Sequence, residues 1–106
     1  MDESYTNGVT AVAGGGQSAV SNITATVTRV TTVATAGDSL TLPKAAPGLR
    51  YKVINKAAAN SMNVFPFLGD AINALGANAA FALAATKSVE FISCASGVWD
   101  TFPIAP

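Results

Sequence analysis

The sequence contains no histidine and a single cysteine, Cys94. Without histidine there is no Ser-His-Asp or Cys-His nucleophile system, no imidazole zinc ligand, and no side chain that ordinarily exchanges a proton near neutral pH. One cysteine forms no intrachain disulfide, so no disulfide framework and no oxidising compartment is implied. Cys94 stands in "EFISCAS", an apolar alternating stretch without a cationic neighbour. It reads as a small buried hydrophobe, not as a reactive thiol. Charge is scarce as well. Only 11% of the residues are charged, against about 25% in ordinary soluble domains. Six basic and six acidic residues cancel, which leaves no electrostatic footprint for direct nucleic-acid contact or an anionic membrane. No apolar run approaches the roughly 18–20 residues that cross a bilayer as a helix. The start, "MDESY", is acidic and polar, unlike the basic opening of a signal peptide.

What the chain does have is apolar surface to hide. Half of its 106 residues are hydrophobic, enough for the modest core of one domain. A surface so poor in charge is expected to lie partly against partner chains. Two textures divide the sequence. Residues 1–22 are rich in Gly, Ser and Ala, with a triple glycine at Gly14–Gly16, and read as an extended N-terminal arm without a core of its own. Ordering such an arm costs on the order of 20–40 kcal/mol in backbone entropy. Other chains are the expected source of the offsetting contacts, with Tyr5, Val9 and Val12 as the contact residues.

From Ile23 to Pro106 the pattern is that of short strands. "ITATVTRVTTV" is Thr/Val rich with near period-two alternation. "DSLTLP" alternates around Leu40 and Leu42, and "PKAAPG" is a loop. In "LRYKVIN" the side chains of Leu49, Tyr51 and Val53 are expected inward, with Arg50 and Lys52 outward among solvated bases that include Lys56. "MNVFPF" sets Met62, Val64 and Pro66 on one face and Phe65 and Phe67 on the other. Those phenylalanines, with Leu68, need a second sheet or a sibling subunit to cover them. The alanine-rich 71–85 segment is broken by Asn73, Gly76 and Asn78 and reads as strand–turn–strand. Two strands are expected about a turn near Thr86-Lys87, the second alternating Val89, Phe91 and Ser93 against Glu90, Ile92 and Cys94. "GVWDTF" closes the set, and Pro103 and Pro106 flank a tail that cannot pair regularly. Strands this short, with turn signals at this spacing, predict an all-β fold. The form expected is a small antiparallel β-sandwich or jelly-roll-like barrel over residues 23–106.

Candidate chemistry is thin. Asp38 and Asp70 invite a paired-carboxylate reading, but each follows a glycine, and Gly-Asp between strands is what a tight turn selects. "GGGQS" lacks the Lys-Ser/Thr of a phosphate cradle. Acids scattered singly, one cysteine and no histidine give no metal-ligand cluster and no cofactor site. "NIT" at Asn22–Thr24 matches a glycosylation sequon, read as chance without a signal peptide. Trp99, Phe102 and Tyr51 form either a stacking platform or, for Trp99, a core plug.

One pattern runs through about two-thirds of the chain, from near Val30 to Phe102. It comprises the Gly37–Pro43 "GDS-x-x-LP" stretch, Val53-Asn55 paired with Val64-Pro66, and "GD-x-IN" at Gly69–Asn73. An alternating Phe81–Phe91 segment and "G-x-W" at Gly97–Trp99 complete it. In order and spacing these resemble a small β module of tailed-bacteriophage structural proteins. The resemblance is greatest to capsid decoration, or cement, proteins. It implies a non-enzymatic homotrimer on the outer surface of the virion, assembled in the host cytoplasm, bound to the major capsid protein and stabilising the shell across capsomer joints. It implies no catalytic residue. The other reading is a receptor- or glycan-binding module of a tail fibre or baseplate, which requires Trp99 or Tyr51 exposed in a groove.

Overall fold

The computed structural model describes residues 4–13, 16–17, 21–23, 25–73 and 75–102. Among them every regular element is a strand. In chain order they are β1 (Tyr5–Thr10), β2 (Val27–Thr32), β3 (Ser39–Thr41), β4 (Arg50–Asn55), β5 (Met62–Phe65), β6 (Ala71–Ile72), β7 (Phe81–Leu83), β8 (Ser88–Ala95) and β9 (Val98–Phe102). The all-β expectation holds. The strands form a six-stranded sheet, ordered β1-β2-β4-β8-β9-β6, and a three-stranded sheet, ordered β3-β5-β7.

The pairing departs from expectation. The β1–β2, β2–β4, β3–β5 and β6–β9 ladders are parallel; β4–β8, β5–β7 and β8–β9 are antiparallel. An antiparallel design throughout is therefore corrected. The reason is visible in the order of strands. From β2 to β5 the chain alternates between the two sheets, and each return lands beside the previous strand pointing the same way. Tyr5 faces Val27, Val27 faces Lys52, and Ser39 faces Asn63. The repeat is about two dozen residues, the spacing of a solenoid coil. After β5 the chain doubles back. The turn near Thr86 joins β7 in the small sheet to β8 in the large one, so it is a corner between sheets and not a hairpin.

One hydrophobic core lies between the sheets. Val30, Val53, Val89, Phe91 and Trp99 come from the large sheet, and Leu40, Met62, Val64, Phe81 and Leu83 from the small one. Phe81 and Phe91 join the sheets edge-to-face, with ring centroids 5.6 Å apart. Met62, Val64 and Pro66 are buried while Phe65 and Phe67 are half-buried on the other face, as the alternation in "MNVFPF" requires. Likewise Val89, Phe91 and Ser93 are buried along β8.

The described residues of the 1–22 segment lie against their own chain. Tyr5–Thr10 is the edge strand β1, laid beside β2, and Ala11 is buried in the core. Val12 and Ser39 then exchange backbone hydrogen bonds (2.9 and 3.1 Å) along the edge of β3. Further along, Asn22 donates its N–H to the Thr41 carbonyl (3.1 Å), and its side-chain oxygen accepts the Thr41 N–H (2.8 Å). This explains why Ser39 and Thr41, on the outward side of β3, are also buried. Backbone pairing to β2 and β3 thus covers part of this segment within the chain. Gly14 and Gly15 lie outside the described residues, as do Pro103 and Pro106.

Candidate functional site

The two candidate acids have structural uses. Asp38 ends a turn in which its N–H donates to the Thr35 carbonyl (3.1 Å) and its carboxylate accepts the Thr35 N–H (3.2 Å). Asp70 ends a matching turn, its N–H bonded to the Phe67 carbonyl (2.8 Å). In both, the residue before the aspartate is a glycine at positive φ, Gly37 (94°) and Gly69 (89°). That is the third position of a type II turn, where a Cβ is strained. The two acids then differ. The Asp70 carboxylate reaches the Ala45 N–H at 2.8 Å and ties the loop after β3 to the start of β6. Asp38 instead borders a surface cavity with Thr35, Asn63 and Phe65. They are turn residues, both buried, and they do not face a common cleft in the manner of a hydrolase pair.

Asn55 is the residue that sequence reasoning passed over. It is fully buried; its amide donates to the Asn60 and Leu83 carbonyls (3.1 and 3.0 Å) and accepts the Ala57 N–H (3.2 Å). It thereby fastens the end of β4 to β7 across the two sheets. Asn73 makes a reciprocal pair with Thr101, donating to its hydroxyl (2.9 Å) and accepting its N–H (3.2 Å). The available signal was the recurrence of both asparagines in the motif pattern, as polar residues beside strands where apolar ones are expected.

Trp99 is a core plug. It is fully buried, edge-to-face with Tyr51 at 5.8 Å, and its indole N–H has no hydrogen-bond partner. A groove displaying Trp99 does not exist. Phe102 separates from it: three positions later in β9, it projects to the opposite face and is 58% exposed. Cys94 is exposed, a correction to the buried placement expected from its apolar neighbours. Ser93 takes the inward position of β8, its hydroxyl 2.9 Å from the Ala95 and Val98 carbonyls. Among the described residues no group of three potential metal ligands occurs, and no helix is long and apolar enough to cross a membrane.

The expected contact residues fall in two places. Phe65 and Phe67 are half-buried on the outer side of the small sheet, and Leu68 is half-exposed beside them. Residues 16–17 pass close by, with the Gln17 amide donating to the Pro66 carbonyl (2.6 Å) and to Asn78 (3.1 Å). Part of the cover for that corner is thus internal. Of the N-terminal trio, Tyr5 and Val12 are exposed, whereas Val9 packs against the core.

A second surface was not singled out from sequence. The outer face of β4, β8 and β9 carries Ile54, Ile92, Cys94 and Phe102 among Arg50, Lys52, Glu90 and Asp100. Ile92, Cys94, Asp100, Thr101 and Phe102 line an apolar cleft of about 240 Å³. Arg50 and Glu90 pair at 3.1 Å. The alternation of β8 had placed Glu90, Ile92 and Cys94 on one face; the grouping of Phe102 with Trp99 hid the rest. In comparisons with known protein families, curated proteins and solved structures, the chain matches none.

Proposed function

We propose that this chain is a non-enzymatic decoration protein of a tailed-phage head, held on the outer capsid surface by the major capsid protein and stabilising the shell across capsomer joints. Its finer architecture is read as a small two-sheet sandwich whose first half is wound as a coil. The homotrimer belongs to the same proposal, with Phe65, Phe67 and Leu68 toward sibling subunits and Tyr5 and Val12 toward the capsid.

The observation that carries the reading is where the motif residues lie. Asp38, Asn55, Asp70, Asn73 and Trp99 belong to the pattern that resembles the phage modules, and in this fold they are spent on turns, inter-sheet bonds and the core. These placements support reading the pattern as a scaffold. What remains outside is a charge-poor surface with exposed apolar residues, suited to burial against other subunits.

The test is addition of the purified protein to phage heads that lack it. Imaging should place new density on the outer head surface, and the heads should resist disruption to a higher temperature. Density on the tail alone, or none on the particle, would overturn the proposal.

A further inference from the structure

We propose that the outer face of the large sheet binds a second copy of this chain about a two-fold axis, with β4 of each copy lying over β8 of the other. The inference goes beyond the decoration reading and does not depend on it.

Four acidic side chains are described: Asp38 and Asp70 are buried, and only Glu90 and Asp100 reach the surface. Both lie on the outer face of β8 and β9. The bases Arg29, Arg50 and Lys52 lie on the same face of β2 and β4. Apart from the Arg50–Glu90 pair that bridges the seam at 3.1 Å, the bases lie on one half of the face and the acids on the other, with Val27, Ile54, Ile92 and Phe102 between. A partner of one sign would match one half and repel the other. A copy of the same face, turned about an axis parallel to the strands and midway between β4 and β8, offers each half its opposite.

Register supplies the detail. Val27 faces Lys52, Lys52 faces Glu90, and Glu90 faces Phe102, so these four side chains form one row across the sheet. The two-fold lays this row on itself. Lys52 then meets the partner's Glu90, and Phe102 covers the partner's Val27. The adjacent row places Arg50 over the partner's Ile92, its stem on apolar surface and its guanidinium still on Glu90 of its own chain (3.1 Å). Phe102, exposed and central to two clefts on this face, becomes the buried anchor. The corner at Phe65 lies on the other side of the core, so a trimer made there leaves this face available between neighbouring trimers.

Charge exchange tests the geometry. Sedimentation of the full chain should show self-association that Lys52→Glu and Glu90→Lys each weaken by about tenfold or more. An equimolar mixture of the two variants should recover it, because both Lys52–Glu90 contacts become complementary again. Failure of the mixture to recover, with both variants folded by circular dichroism, would overturn the proposal. Cross-linking adds an independent readout in a Cys94→Ser background. Within one chain Val27 and Phe102 are three strand spacings apart, about 14 Å, beyond disulfide reach. Val27→Cys chains mixed with Phe102→Cys chains should oxidise to a covalent dimer, while neither alone does so efficiently. Equal yields from each variant alone would reject the axis. A wild-type chain monomeric at millimolar concentration, its face protected only on heads, would assign the face to another protein and overturn the second-copy proposal.

Discussion

The two halves of the molecule solve strand pairing differently. Up to β5 the chain winds, and neighbouring strands run parallel because each returns by way of the other sheet. After β5 it folds back, and β7, β8 and β9 pair antiparallel, with β8 and β9 joined by a tight turn at Ser96-Gly97. The two-residue strand β6 is the exception, parallel to β9. Winding makes every pairing long-range, since a strand cannot reach its neighbour until the chain has gone round by way of the opposite sheet. In the antiparallel half the β8–β9 hairpin is local, whereas β4–β8 spans more of the chain than any parallel ladder. Neither half has a core to itself, because the two sheets share one.

Trp99 offers the strongest way to break that comparison. It belongs to the antiparallel half, yet its ring packs on Tyr51 of β4. Trp99→Ala is expected to cost about 3–5 kcal/mol, a large part of the roughly 5–15 kcal/mol that holds a typical domain. Urea unfolding followed by fluorescence of the tyrosines and by circular dichroism should give a single, earlier transition in both signals. Two separated transitions would mean that the wound half stands alone.

Asn55 tests the seam more narrowly. Asn55→Ala leaves the Leu83 and Asn60 carbonyls and the Ala57 N–H without their partner. The expected loss is about 2–3 kcal/mol, read as a lower urea midpoint at unchanged slope. Hydrogen exchange should quicken at β7 before it does at β2.

The paired turns sharpen the contrast between local and distant anchoring. Asp70→Ala removes the acceptor of the Ala45 N–H, a residue distant in the chain, and should cost about 2 kcal/mol. Asp38→Ala removes a bond within its own turn and should cost about 1 kcal/mol. Thermal midpoints of the two variants side by side give the order; the reverse order would show that turn closure matters more than the tie to the loop.

How much of this was legible in sequence follows from which forces leave a local trace. Strands β4, β5 and β8 were readable because burial on one face writes a period of two, and Gly-Asp marked both turns because positive φ selects glycine. Strand β1 was not. Five of the six residues in "YTNGVT" are exposed, and it is held by backbone bonds to β2 that impose no side-chain pattern. Parallel register was hidden for the same reason: Val27 opposite Lys52 follows from the path of the whole coil. The large-sheet face was partly written, as Trp99 and Phe102 stand an odd number of positions apart and so cannot share a face of one strand. Its charge division emerges only once β8 lies beside β4.

The smallest expected effect runs in the opposite direction and concerns the corner between the halves. Lys87 donates its N–H to the Ala84 carbonyl at 3.2 Å, which closes a turn with Thr86 in third position. Thr86 has φ of 64°, where the Gly-Asp turns place glycine. A β-branched residue there carries strain of about 1–2 kcal/mol, because its Cβ crowds the backbone. Glycine relieves the strain but gives the unfolded chain more freedom, an opposing term of about 0.4–1 kcal/mol. Thr86→Gly should therefore stabilise the protein by about 0.5–1 kcal/mol, seen as a modest rise in thermal midpoint. Thr86→Ala, which keeps a Cβ at the same φ, should give little of that gain. Equal stabilisation by both would locate the benefit in the lost threonine side chain, and the difference between this corner and the Gly-Asp turns would then not be one of backbone strain.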